Sequence, residues 1–147
     1  MPFKIPRSVL VVIYTPALDV LLLERADHPG FWQSVTGSLD REDEAPRAAC
    51  VREVGEETGL VAAPGAFDDW NLQHTYPIYP QWRARYAPDV THNTEHVFGL
   101  GVDHPFDPQL SPREHCRARW LGWRDAADAC FSWTNAQAIQ RLARRAG

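Results

Sequence analysis

Arg52-Glu53-Val54-Gly55-Glu56-Glu57-Thr58-Gly59-Leu60 is a helix-forming stretch that breaks the local rules for helices several times over. Coiled as a helix, Glu53, Glu56 and Glu57 fall at i, i+3 and i+4, so their carboxylates share one face. Each like-charged pair on such a face costs about 0.2–0.5 kcal/mol. Glu56 and Glu57 also lie in the last turn, where the helix dipole is negative and an added anion is disfavoured by about 0.3–1 kcal/mol. Gly55 inside the helix costs a further ~0.5–1 kcal/mol relative to alanine. A cluster of such violations marks a place where function outranks local stability. A divalent cation would relieve both electrostatic penalties, and carboxylate oxygens without soft nitrogen or sulfur donors suit Mg2+ or Mn2+. Taken alone, the same glutamates read equally well as a solvated acidic face.

Outward from this stretch the helix should run over residues 44–58, with Pro46 in its first turn and Cys50, Val51 and Val54 on one side. Gly59 stands where a residue of positive φ closes a helix. Residues 8–14 and 20–23 are β-branched or aliphatic runs separated by a turn-like segment, and both read as buried strands. Residues 31–39 follow as a strand in which a period of two places Trp32, Ser34 and Thr36 on one face, a hydroxyl-bearing wall for a polar pocket. Further strands are expected over 71–79, 95–102 and 116–123, and a closing helix over 134–144 with Ala138, Ile139 and Leu142 on its apolar side. Strands on both sides of a central helix, then a terminal helix, predict an α/β domain with a mixed sheet covered on both faces.

The 147 residues and 16.7 kDa fit one domain over positions 1–147, long enough to bury about 68–70% of its unfolded surface. A net charge of −4 argues against broad binding to nucleic acid or to an anionic membrane, since both need concentrated Lys and Arg. An anionic small molecule needs only a few local cations. Cys50, Cys116 and Cys130 are odd in number and scattered, matching neither a disulfide framework nor a metal site, and are expected as reduced, buried thiols. No export signal or membrane-length apolar run is present, which places the protein in the cytoplasm by default. Oligomeric state has no signature in the residues.

Gly37, Glu44 and the stretch from Arg52 to Leu60 together resemble the Nudix box, G-x5-E-x7-R-E-U-x-E-E-x-G-U with U a bulky aliphatic. Every fixed position from Glu44 onward matches. Six residues rather than five separate Gly37 from Glu44, a one-residue insertion in the loop before the helix. The resemblance implies an α/β/α sandwich that hydrolyses a nucleoside diphosphate linked to another group, with Mg2+, or Mn2+ in its place, on the box glutamates. It implies Glu53 and Glu57 as direct ligands, Glu56 as a ligand or the partner of one, and Glu44 with Arg52 as a brace between loop and helix. The chemistry fits: attack of water on phosphorus needs a cation to neutralise phosphoryl charge and a carboxylate to take the proton.

Beyond the box, Phe31-Trp32-Gln33-Ser34-Val35-Thr36-Gly37-Ser38, Arg85-Tyr86-Ala87-Pro88, Asn93-Thr94-Glu95, Glu114-His115 and Ser132-Trp133-Thr134-Asn135 resemble one branch of the family, the dihydroneopterin triphosphate diphosphatases. That resemblance implies release of pyrophosphate from a pterin triphosphate. It implies a further metal ligand in Glu114, with Glu95 as the competing candidate. It places Lys4 and Arg25 on the phosphate chain, Thr36 in the pocket wall and Ser132 near the pterin. Arg83 and Arg85 either reach phosphate or are ordinary surface charge. Of the six tryptophans, Trp120 and Trp123 read as structural and Trp32 as the ring on which a heterocycle stacks. His74, His92, His96 and His115 show no metal-binding spacing. Two other readings stand beside this one: hydrolysis of (d)NTPs or damaged nucleotides, and a non-catalytic nucleotide sensor, which should have lost the box carboxylates this chain keeps. In each the partner is a small pterin or nucleoside triphosphate.

Overall fold

The apolar run near the start forms strand β1 (Arg7–Tyr14), buried from Ser8 to Ile13. The computed structural model of the chain describes residues 2–146. Stiff β-branched side chains with both faces covered suit a central strand. On one side β1 runs parallel to β6 (His92–Gly101), which pairs antiparallel with β5 (Phe67–Pro77). On its other side β1 meets β2 (Asp19–Arg25) only at Tyr14 and Val20, while residues 8–11 pair with β4 (Val35–Ser38). β2 pairs instead with β3 (Trp32–Gln33) and β7 (His115–Gly122). The seven-stranded mixed sheet is thus joined at one end of β1 and β2 and split at the other, with β3 and β4 on opposite sides of the split.

The alternation along β1 assigns each face. Val9, Val11 and Ile13 pack with Ala49, Cys50 and Val54 of helix α1 (Pro46–Thr58). Leu10 and Val12 pack with Ala126 and Ala127 of α2 (Trp123–Ala129) and with Ala138, Ile139 and Leu142 of α3 (Trp133–Ala146). The result is the expected α/β/α sandwich.

Helix α1 starts at Pro46, two residues later than the sequence pattern suggests, and Gly59 closes it at φ 79° with its N–H on the Gly55 carbonyl. Segment 31–39 is not one strand. Ser34 leaves the ladder, its N–H donating to Asn135 Oδ1 at 2.9 Å, so the period of two is broken there. β5 begins at Phe67, earlier than expected, because a register shift between Asp69 and Leu72, with Asn71 at φ 53°, hides its alternation. α2 gave no sequence signal; at seven residues it is too short to display a period. Of the cysteines only Cys50 is fully buried; Cys116 is exposed, opposite to expectation, because the β7 register turns His115 inward and Cys116 out. No helix among the described residues is long and apolar enough to cross a membrane.

Candidate active site

The last turns of α1 lie against β4. Glu53 and Glu57 are buried, whereas Glu56 stands at the exposed rim. Burying Glu53 requires a glycine opposite: a Cβ at Gly37 would lie 2.2 Å from Glu53 Cδ. Arg52 holds this end of the helix together. Its Nε and Nη2 donate to Glu44 at 3.1 and 2.9 Å, Nη2 also to the Ser38 carbonyl at 3.1 Å, and Nη1 to Glu53 Oε1 at 2.6 Å. Glu44 also accepts the Asp40 N–H at 2.7 Å, and the Arg52 guanidinium keeps its carboxyl below the ordinary range. The brace between loop and helix is therefore present. The extra loop residue is absorbed between two anchors, the Leu39 N–H on the Arg7 carbonyl at 2.9 Å and a turn closed by the Glu44 N–H on the Arg41 carbonyl at 3.1 Å.

Burial, then the neighbouring Glu53 and Glu114 carboxylates, hold the Glu57 carboxyl well above the ordinary carboxylate range. Glu57 Oε1 is buried without a hydrogen-bond partner, 3.7 Å from His115 Nε2. His115 offers no charge in return: burial and then Arg25 lower it to about 4. Partial desolvation and Glu53 also raise Glu56. Glu53, Glu57 and Glu114 line one cleft with Lys4, Arg25, Thr36, Gln33 and His115. An unpartnered, hard oxygen donor among crowded carboxylates fits a divalent cation. The donors do not yet converge, among the described residues, on one ready coordination point.

A second cavity, about 720 Å3 including the space open to solvent, continues from the first. Lys4, Arg25, Gln33, Thr36, Gly37 and Arg85 line both and form the neck between them. Arg25 is fixed there: Asp27 takes its Nε and Nη2 at 2.8 and 2.9 Å, and its guanidinium lies 4.2 Å from the Trp82 ring centre. Asp27 also accepts from Trp82 Nε1 at 3.1 Å and Arg85 Nη2 at 3.2 Å, and these partners keep its carboxyl far below the ordinary range. Burial in the cleft and the charges of Arg85 and Arg25 lower the Lys4 ammonium, so the neck is poised for an anion. Thr36 Oγ1 donates to the Val9 carbonyl at 3.0 Å. Deeper in, Tyr79, Trp82 and Phe131 form aromatic walls, and Ser132 accepts the Thr134 N–H at the start of α3.

The structure thus brings Glu53, Glu57, Glu114, Lys4, Arg25 and Thr36 to one cleft and Ser132 to the adjoining cavity. Three expectations need correction. Glu95 lies not with Glu57 but on the opposite face of the sheet, because it pairs with Ser8 in register while α1 covers the Val9 face. Trp32 packs beneath Arg117 and Arg119, 5.6 and 5.3 Å from its ring centre, and Trp82 is the aromatic beside the neck. The break at Ser34 places Gln33, rather than Trp32, beside Thr36. The sequence pattern gave no sign of Asp27, Tyr79 or Phe131, and Gln33 and His115 fall within the matching segments with no role assigned to them; the register shift at Glu24 and Arg25 that pairs Arg25 with His115 has no sequence signature.

The chain matches the NUDIX domain over residues 4–142. It is 41% identical over 144 residues to a dihydroneopterin triphosphate diphosphatase of Haemophilus influenzae, covering 96% of this chain and 89% of that protein. To the protein of the same name in Escherichia coli K12 it is 43% identical over 143 residues, 95% of this chain and 93% of the relative. The solved structure of the E. coli dihydroneopterin triphosphate pyrophosphohydrolase superposes with a TM-score of 0.89 at 40% identity, over 96% of this chain and 97% of that one. With the box glutamates gathered on one helix and the match running almost from end to end, the chain belongs to the Nudix hydrolase family.

Proposed function

We propose that this Nudix hydrolase converts dihydroneopterin triphosphate to dihydroneopterin monophosphate and pyrophosphate. The observation that carries the reading is the 41–43% identity to diphosphatases of that name over at least 95% of the chain. The paired cavities support it, one acidic and one aromatic, with a neck between them lined by Lys4, Arg25 and Arg85.

In this reading Glu53, Glu57 and Glu114, assisted by Glu56 at the rim, hold Mg2+ or Mn2+. When bound, such an ion supplies Lewis-acid stabilisation of phosphoryl oxygens. Arg52 positions Glu53, and Lys4 and Arg25 bind the phosphate chain while Thr36 shapes the neck. Ser132 meets the heterocycle. A carboxylate of the α1 set takes the proton of the attacking water. Parallel turnover of dihydroneopterin triphosphate and the four common dNTPs tests the assignment. A kcat/KM for the pterin at least about tenfold above every dNTP is expected; a dNTP preferred over it refutes the substrate.

A further inference from the structure

On β6, Asn93, Glu95 and Val97 share the face of the sheet turned toward α3. Glu95 is 2% exposed and lines the aromatic cavity, yet its Oε1 has no hydrogen-bond partner. The nearest cation-forming group, His74 Nδ1, is 3.8 Å away and is itself unpartnered. Two residues along, Asn93 Oδ1 is also buried without a partner, its Nδ2 being committed to Ser8 Oγ at 2.8 Å and the Tyr76 hydroxyl at 3.1 Å. Buried polar atoms are nearly always paired. Two orphaned acceptors on the wall of one cavity therefore call for N–H donors brought by a ligand.

The ligand edge can be specified further. A carboxylate offers two parallel acceptor oxygens, which match two adjacent, parallel N–H groups. A 2-amino-3H-4-oxopyrimidine presents such a pair. Adenine has its amino group but no ring N–H beside it, and uracil flanks its N–H with carbonyls that would repel a carboxylate. Tyr79, Trp82 and Phe131 supply faces for a planar ring, and the neck adjoins them at Trp82, whose ring centre is 4.2 Å from the Arg25 guanidinium, so attached phosphates can enter it.

We infer that Glu95 is a specificity residue, its carboxylate accepting the 2-amino and N3 hydrogens of the heterocycle and so selecting rings with that edge, pterin and guanine alike, over adenine, cytosine and thymine; the inference rests on the substrate reading above and names how the ring edge of that substrate is read. His74, whose Nε2 meets Gln137 Oε1 while its Nδ1 lies 3.8 Å from Glu95 Oε1, is the group that balances the charge when protonated.

Fluorescence titration with pterin and with lumazine, its 2-oxo analogue, tests this without requiring turnover. The wild-type protein should bind pterin at least about tenfold more tightly than lumazine, and Glu95→Gln should bring the two affinities within about threefold of each other. Equal wild-type affinities, no saturable pterin binding up to about 10 mM, or a preference that survives in Glu95→Gln would overturn the assignment. Should Glu95→Gln fail to fold, the wild-type ratio still decides. Turnover of dihydroneopterin triphosphate is scored separately. Its absence, with a Glu95-dependent pterin preference intact, refutes the substrate reading alone, whereas turnover without that preference refutes only the role of Glu95.

Discussion

The Glu53 carboxylate fills the space that a side chain at Gly37 would occupy, with both Glu53 oxygens 2.4 Å from the position of a Cβ there. The obstructing group is the end of a flexible side chain, so Gly37→Ala is relieved by moving the carboxylate rather than the backbone. Stability should change by less than about 1 kcal/mol, while kcat/KM falls by about 10²-fold because an active-site group is displaced. Urea denaturation and steady-state rates on the same preparation check both; unimpaired turnover would show that the position of Glu53 is not critical.

Glu57→Gln should separate stability from activity in the opposite sense. Removing an ionisable group that burial, Glu53 and Glu114 all disfavour as an anion should stabilise the protein in chelator by about 1 kcal/mol. Turnover with Mg2+ should fall by about 10²-fold or more. A variant with wild-type kcat removes Glu57 from the mechanism.

Asp27 fixes both arginines of the neck, so Asp27→Ala should act on substrate binding. Freeing Arg25 adds net positive charge but lets a long side chain lose its orientation, and loss of orientation should dominate. KM is expected to rise about tenfold with kcat within about threefold of wild type. A fall in kcat at constant KM would place Asp27 in the chemical step instead.

How much was legible in the residues follows from how local each signal is. The box glutamates and Gly59 announced themselves because each breaks or obeys a helix rule within a few positions, whereas Gly37 and the Arg52 brace were legible only through the resemblance to the box. Central strands were readable from their apolar runs, and the α/β/α architecture followed. What escaped depends on registers between distant strands. Glu95 faces the aromatic cavity only because β6 runs beside β1 in one particular register, and Gln33 enters the neck only because Asn135, from α3, captures the Ser34 N–H. Trp82 reaches the site from a 3-10 segment, Pro80–Arg85, whose placement no periodicity encodes.

Acid should weaken the fold partly through Glu24. Its carboxylate accepts from Arg117 Nε at 2.6 Å, Cys116 Sγ at 3.1 Å and the Gly30 N–H at 2.8 Å, and these bonds lower it from 4.5 to about 2. A group depressed on folding stabilises fully above its unfolded value and loses that contribution as pH falls through its folded value. The urea midpoint should therefore drop between pH 4.5 and about 2, and drop less in Glu24→Gln. Identical pH profiles for the two proteins would show that Glu24 is not among the groups responsible.

Phosphorus NMR of the reaction mixture shows whether carboxylates crowded on α1 hold a divalent cation for cleavage of a pterin triphosphate into two products. With Mg2+, equal amounts of inorganic pyrophosphate and dihydroneopterin monophosphate should accumulate, and chelator should abolish both. Release of orthophosphate as the first product, or hydrolysis undiminished in chelator, would contradict it.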